Sequence, residues 1–256
     1  MLHKFYAGTS VIILATSMLF LSSCSQRLNP ALGGFSGETV KFRWENFRVS
    51  VDEFILKEDS IAVISYKDHT IYRFPSYRYL TTTNLNKEGE FIGEQTTTIS
   101  VFKYYVHKND DQFGLMFDSI SAVRSSGKLP VDSIMIKQAF KNPRFFALPN
   151  VKLVEELKKD DIIRVTYAAF EKAKDQRDTV GLYYDRNTPD FRYSFSNSLN
   201  WENMEPFRIR YVFNEFLEDG VTIPKRVMLF ELKRMKIGNS GELKRLIELH
   251  DRLIQE

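Results

Sequence analysis

The sequence predicts a mainly β protein: an antiparallel sheet, arranged as a sandwich or a curved half-barrel, with a few short helices and a C-terminal amphipathic helix. Three observations carry this. Aromatic residues make up 14% of the chain, mostly Phe and Tyr, and flat or branched side chains pack well on a pleated surface. Apolar and polar residues alternate with a period of two in several segments, the mark of a half-buried antiparallel strand. Clusters of Asn, Asp, Ser and Gly separate those segments where turns belong.

Taken in order, Val40, Phe42 and Trp44 alternate with Lys41, Arg43 and Glu45, and Phe47, Val49 and Val51 with Arg48, Ser50 and Asp52. Residues 61–66, 97–107, 162–169 and 226–236 read as further strands. Phe191, Tyr193 and Phe195 alternate with Arg192, Ser194 and Ser196, and Phe207, Ile209, Tyr211 and Phe213 with Arg208, Arg210, Val212 and Asn214. Turns are expected at 109–111, 125–127, 187–190 and 218–220. Asp219-Gly220 fits a hairpin turn joining the strand at Phe207 to the one at Val227, with Pro224 in an edge-tolerant place. Short helices are expected over 131–140 and 151–159. The last helix, 240–256, is clearer. Asn239 and Glu242 fit a capping pair, and Leu243, Leu246, Ile247, His250, Leu253 and Ile254 share one face. That face is expected to close the sheet, with partner binding as the alternative.

A chain of 256 residues suits one domain or two small ones. We read residues 38–256 as a single β-rich domain. The formal net charge is only +3, which predicts no electrostatic grip on nucleic acid. Cys24 is the only cysteine, so an intramolecular disulfide and a cysteine-based metal site are both excluded.

The N-terminus is organised as a targeting segment. His3 and Lys4 give a positive start, residues 11–21 are apolar, and small residues Ser22 and Ser23 precede Cys24. The apolar run is shorter than the roughly 20 residues of a membrane span and fits a secretory signal. Leu21-Ser22-Ser23-Cys24 resembles the lipobox of bacterial lipoproteins. The resemblance implies that residues 1–23 are a signal peptide and that the Cys24 thiol receives a lipid, with cleavage before it. It also implies attachment to a membrane by acyl chains. Ser25, where an Asp commonly favours retention in the inner membrane, implies the outer membrane, and the lack of an acidic cluster after Cys24 favours its periplasmic side. A plain membrane anchor, or a secreted protein with a chance cysteine, is the competing reading. Residues 24–37, with their Gly, Ser, Asn and Pro, are expected to be the lipidated Cys and a flexible tether.

Familiar catalytic signatures are missing. There is no Gly-x-Ser-x-Gly elbow, no phosphate-cradling Gly-rich loop and no Gly-x-Gly-x-x-Gly. His69, His107 and His250 are far apart in sequence and match no metal spacing. Each is read as a packing or core-edge residue, and no metal or cofactor is expected. Asp110-Asp111 and the acids from Asp185 to Asp190 are read as turns, not calcium loops. Arg192, Arg208, Arg210, Arg226 and Arg234 are nearly matched by Glu202, Glu205, Glu215, Glu218 and Glu231, so a solvated mixed face is expected. An Asp-Ser or Asp-Thr pair followed by an aliphatic residue occurs at Ser60, Ser119, Ser133 and Thr179. It resembles the acceptor motif of an O-glycosylation system of some Gram-negative envelope proteins. A local turn before a strand explains the same string equally well.

These readings converge on a lipid-anchored envelope protein with a non-catalytic binding or scaffolding role, its partner an envelope protein or an apolar ligand. The first alternative is a carrier of lipid or another apolar ligand, held in a cavity lined by Phe42, Trp44, Tyr193, Phe195, Ile209 and Tyr211. The run 220–227 faintly resembles the hairpins of lipoprotein-carrier proteins. The second alternative is a hydrolase with a dispersed carboxylate site. The anchor is directly testable. Cys24→Ser is expected to abolish fatty-acid labelling and to leave the precursor uncut or mislocalised. A Cys24→Ser protein that still labels, is still shortened and still fractionates with membranes contradicts the lipoprotein reading.

Overall fold

Thirteen strands and two helices are assigned among the described residues. They are β1 (Ser36–Arg48), β2 (Glu53–Tyr66), β3 (His69–Leu85), β4 (Phe91–Lys108), β5 (Phe113–Phe117), β6 (Gly127–Pro130), α1 (Val131–Lys137), β7 (Val151–Lys159), β8 (Ile162–Ala169), β9 (Arg177–Asp185), β10 (Arg208–Phe213), β11 (Phe216–Glu218), β12 (Val221–Ile223), β13 (Arg226–Arg234) and α2 (Ser240–Gln255). The computed structural model describes residues 34–137, 146, 148, 151–169, 177–187 and 191–255. The expected signal segment, Cys24 and the expected tether up to residue 33 lie outside the described residues, as does part of the expected turn at 187–190.

Eleven strands form one sheet in the order β6-β5-β4-β3-β2-β1-β13-β10-β9-β8-β7, with antiparallel neighbours throughout. Among the described residues the other sheet is only the two-stranded β11–β12 ribbon, so no second sheet stacks on the first as in a sandwich. The ribbon is the tip of the β10–β13 hairpin. Its turn puts Asp219 and Gly220 both at positive φ, a conformation for which Asp-Gly is suited.

Register turns the period-two pattern into a core. On one face Met116 stands opposite Tyr105, Tyr105 opposite Tyr72, and Tyr72 opposite Val63. Val40 pairs with Ile61 and Leu232, and Phe230, Ile209, Leu182 and Val165 continue the row. All are buried. This face is covered by α1 and by residues 191–204. Three tyrosine hydroxyls tie down those covers and the strand that leads into α1, as buried Tyr requires a partner. Tyr72 donates to Met135 Sδ (2.8 Å), Tyr105 to the Leu129 carbonyl (3.0 Å) and Tyr184 to the Leu199 carbonyl (2.6 Å). On the opposite face Ile64, Ile71, Val106 and Leu115 form a second row. Helix α2 seals it with Leu243, Leu246, Ile247 and Leu249.

The structure corrects four local expectations. Residues 49–51 are not strand but a 3-10 turn closing the β1–β2 hairpin, with Asp52 left-handed at its end. Residues 151–159 form strand β7 instead of a helix. Leu, Glu and Lys favour helix weakly, but pairing with β8 across the turn at Asp160 (φ 53) prevails. Residues 191–196 are irregular, not a strand, although Tyr193 and Phe195 are buried as the alternation implied. The tether is shorter than expected, because Ser36 and Gly37 already pair with Ser65 and Ile64. Gly37 lies close under the Ile237 side chain, which would have to turn aside for a larger residue.

Residues 191–196 are held over the sheet by Glu38, which is buried on β1. Its Oε1 accepts the Arg192 backbone N–H at 3.0 Å. Burial pushes the Glu38 carboxyl above its ordinary range, and the backbone hydrogen bonds from Arg192 and Tyr193 only partly offset this. A raised carboxyl pKa means that the folded state binds the proton more tightly than the unfolded state, so Glu38 disfavours folding when charged and ceases to do so as pH falls. Glu38→Gln keeps an acceptor without the charge. It is expected to raise the melting temperature at pH 7, with the gain shrinking as pH falls through the raised range of the Glu38 carboxyl and gone once pH is well below 4.5. A gain that is flat with pH, or a loss at pH 7, contradicts this.

Candidate interaction surface

The long strands β1 to β4 outrun the sheet. β2 and β3 pair only over 62–66 and 69–73. Beyond that point β2 pairs with β1 alone, and β3 with β4 alone. Two hairpin arms result. The β3–β4 arm carries eleven residues past Phe74, a reach of about 35 Å at a strand rise of roughly 3.3 Å per residue. It is exposed along nearly its whole length. Tyr77, Tyr79, Leu80, Leu85, Phe91, Ile92 and Ile99 all stand open to solvent, with Tyr79 at 69% exposure. The β1–β2 arm exposes Val49, Val51, Phe54 and Leu56, while Phe47 and Phe54 meet edge-to-face across it at 5.4 Å.

The sequence forms these arms for local reasons. Residues 95–102 hold no charge and are rich in Thr, Ile and Val, which favour strand. Thr81 and Thr96, opposite each other, share a hydroxyl hydrogen bond at 3.1 Å. Asn86 closes the tip, its Oδ1 accepting the Glu90 N–H at 2.7 Å and its Nδ2 donating to the Glu90 carboxylate at 2.9 Å. Beyond Pro75 the β3 strand of its arm lacks most protection, whereas β2 in the other arm carries Glu53, Lys57, Glu58 and Asp59. Edge strands are normally blunted by charge, proline or brevity. The true sheet edges follow that rule: β7 carries Lys152, Glu155, Glu156, Lys158 and Lys159, and β6 has four residues ending in Pro130. Between Tyr77 and Leu85 the β3 arm carries only Arg78.

The residues expected to line an apolar cavity do gather on one side of the sheet. Tyr193, Phe195, Ile209 and Tyr211 are buried, and Phe42 and Trp44 pack against the same cluster partly covered. Their rings meet one another around Phe230, which lies 5.1 Å from Phe42, 6.0 Å from Phe195 and 6.2 Å from Tyr211, centroid to centroid. Trp44 stands edge-on to Phe213 at 5.0 Å. Elsewhere, an open recess of about 510 Å³ is lined by Asp118, Ser119 and residues 122–126. The expected mixed face exists around Glu231, which accepts Arg208 Nε at 2.9 Å and Lys233 at 2.8 Å. Arg226 departs from it. It is buried on the core side, its guanidinium over the rings of Trp44, Phe213 and Phe216.

Of the four hydroxyls in Asp-Ser or Asp-Thr strings, Ser60 is exposed on the β2 arm and Ser119 half-buried at the open recess. Ser133 donates to the Pro130 carbonyl at 2.9 Å. Thr179 lies in the middle of the sheet, opposite Ala168 and Val212.

The histidines, separate in sequence, are not separate in space. His69 opens β3, His250 lies on the buried face of α2, and their rings meet edge-to-face at 5.5 Å. Asp251 Oδ1 sits between them, 2.8 Å from His69 Nε2 and 3.2 Å from His250 Nδ1. Lys108 Nζ is 3.7 Å from the same oxygen. Burial pushes His250 below its ordinary pKa, and the neighbouring His69 adds to that, against the opposing hydrogen bond of Asp251. Burial works to raise the Asp251 carboxyl, but hydrogen bonds from both histidines and the charge of Lys108 hold it below the usual carboxylate value. His107 is elsewhere, stacked on Tyr72 at 5.9 Å. Sequence spacing had no means of pairing position 69 with 250, because a strand start and a helix face are joined only by the fold.

No protein-family model matches the chain, and no curated protein matches it.

Proposed function

We propose that this is a lipid-anchored envelope lipoprotein with a non-catalytic scaffolding role, and that it binds an extended segment of another envelope protein along its β3–β4 arm. The observation that carries the reading is the unguarded arm. Two long strands present free backbone N–H and C=O groups on their outer edges beside exposed Tyr, Leu, Phe and Ile. A two-stranded hairpin is marginally stable in water by itself. An added strand satisfies those backbone groups, and its alternate side chains cover the aromatic ones. A protein partner fits better than direct insertion into an anionic bilayer, because Glu88, Glu90 and Glu94 outnumber Lys87 near the tip and carboxylates are costly to move into lipid. The lipobox at Cys24 supports membrane attachment, and the Ser at position 25 supports the outer membrane.

Photo-cross-linking in intact cells tests the reading. A photoreactive residue replacing Tyr79 or Thr97 is expected to capture one envelope protein, and the adduct is expected to fall several-fold when Leu80→Asp is added. A probe at the exposed Lys225 serves as control. Equal labelling from all three positions contradicts the arm as a binding element. Adducts to phospholipid alone favour a lipid carrier instead.

A further inference from the structure

We propose that His69, His250 and Asp251 form a binding site for a divalent transition-metal cation of the zinc class, which clips helix α2 to the β2–β3 turn. One ligand atom from each of the three residues lies within 4.8 Å of the other two. Ligands held at about 2.0–2.1 Å around one tetrahedral zinc sit roughly 3.3 Å apart. The contacts of Asp251 Oδ1 with His69 Nε2 at 2.8 Å and with His250 Nδ1 at 3.2 Å fall close to that spacing. The residues come from two rigid elements, the start of β3 and the second half of α2, so little ordering is left for the ion to impose. Two imidazoles and one carboxylate are a donor set that zinc accepts with a fourth position open to water.

Both histidines are buried. His250 is 0% exposed, and its Nε2 has no hydrogen-bond partner among the described residues. His69 is 4% exposed. Its Nδ1 lies 2.9 Å from Asp68 Oδ1, near in distance but out of line for a hydrogen bond. The nitrogens that would take the metal are the other two, His69 Nε2 and His250 Nδ1. Asp68 lies near enough to His69 Nδ1 to support that ring after a small rotation, as a carboxylate behind a metal-bound histidine does.

Charge agrees with the geometry. Asp68 and Asp251 lie at the site, and Asp111 is near enough for its charge to act on His250. The cation seen against them is Lys108, whose Nζ is 3.7 Å from Asp251 and whose side chain is 40% exposed. Lys108 therefore competes with the metal and is free to swing into water when the ion enters. Asp251, 35% exposed, provides the path in.

The test uses the full chain without a purification tag, in a Cys24→Ser background so that no thiol competes. The protein is stripped with chelator and titrated with zinc chloride, followed by calorimetry and by metal analysis after gel filtration. One zinc per chain is expected, with a rise in melting temperature. His69→Asn and Asp251→Asn are each expected to weaken binding at least about tenfold and to remove the thermal shift. Asp68→Asn is expected to weaken it by about tenfold. Lys108→Met is expected to tighten it. Asp251→Asn keeps the shape of a partly exposed residue, so a folded circular dichroism spectrum separates loss of the site from loss of the fold. Failure to bind one equivalent, or binding that His69→Asn and Asp251→Asn leave unchanged, overturns the proposal.

Discussion

A single wide sheet has two faces and buries neither by itself; how each face is covered decides the rest of this molecule. One row of opposed side chains, from Met116 through Tyr72 and Val40 to Val165, makes the first face apolar across nine strands. Its covers are thin. Helix α1 has seven residues and 191–196 is irregular, so large aromatic side chains supply the thickness. Phe230 is the hub, in ring contact with Phe42, Phe146, Phe195 and Tyr211. The second face is apolar only over β2 to β5, the width one helix can seal. Over β1, β13 and β10 it is charged, with Lys41, Arg43, Glu231 and Arg208 on it, and needs no cover.

The same constraint sets off the arms. Where β3 and β4 pass Phe74 and Lys103 no cover follows them among the described residues, yet Tyr77, Tyr79, Leu80, Phe91, Ile92 and Ile99 stand open to solvent among the threonines. Elsewhere the chain manages its edges with charge and brevity. The contrast within one molecule is what gives the exposed Tyr79, Leu80 and Phe91 a functional meaning, since scattered exposed apolar residues are ordinary on any surface and a contiguous set on open strands is not.

Much of the fold was legible because register depends on alternation. Val40-Phe42-Trp44 and Ile209-Tyr211-Phe213 each present one apolar face, and one-residue slips would expose it. The strand class, the Asp219-Gly220 turn and the C-terminal helix follow from such local patterns. The failures also have local causes. Tyr193 and Phe195 alternate because both point into the core, but Arg192 gives its N–H to Glu38 instead of to a strand. Leu153 and Leu157 have helical spacing, and only the partner strand β8 decides against it. Of the β3–β4 arm, 97–107 read as strand but the β3 half did not, because Thr81-Thr82-Thr83 is polar on both faces and carries no period. The histidine cluster was invisible for a different reason: 181 positions separate its two halves (250 minus 69), and no spacing rule spans that distance.

The central claim is that a well-covered body carries an uncovered arm. Hydrogen exchange of the purified full chain at low concentration measures this directly, since exchange reports local opening along the chain. The account predicts that amides of 76–100 exchange orders of magnitude faster than those of 69–73 and 104–107 in the same strands. Equal protection across β3 and β4 in the monomer would show the arm to be part of the core, and would contradict the account.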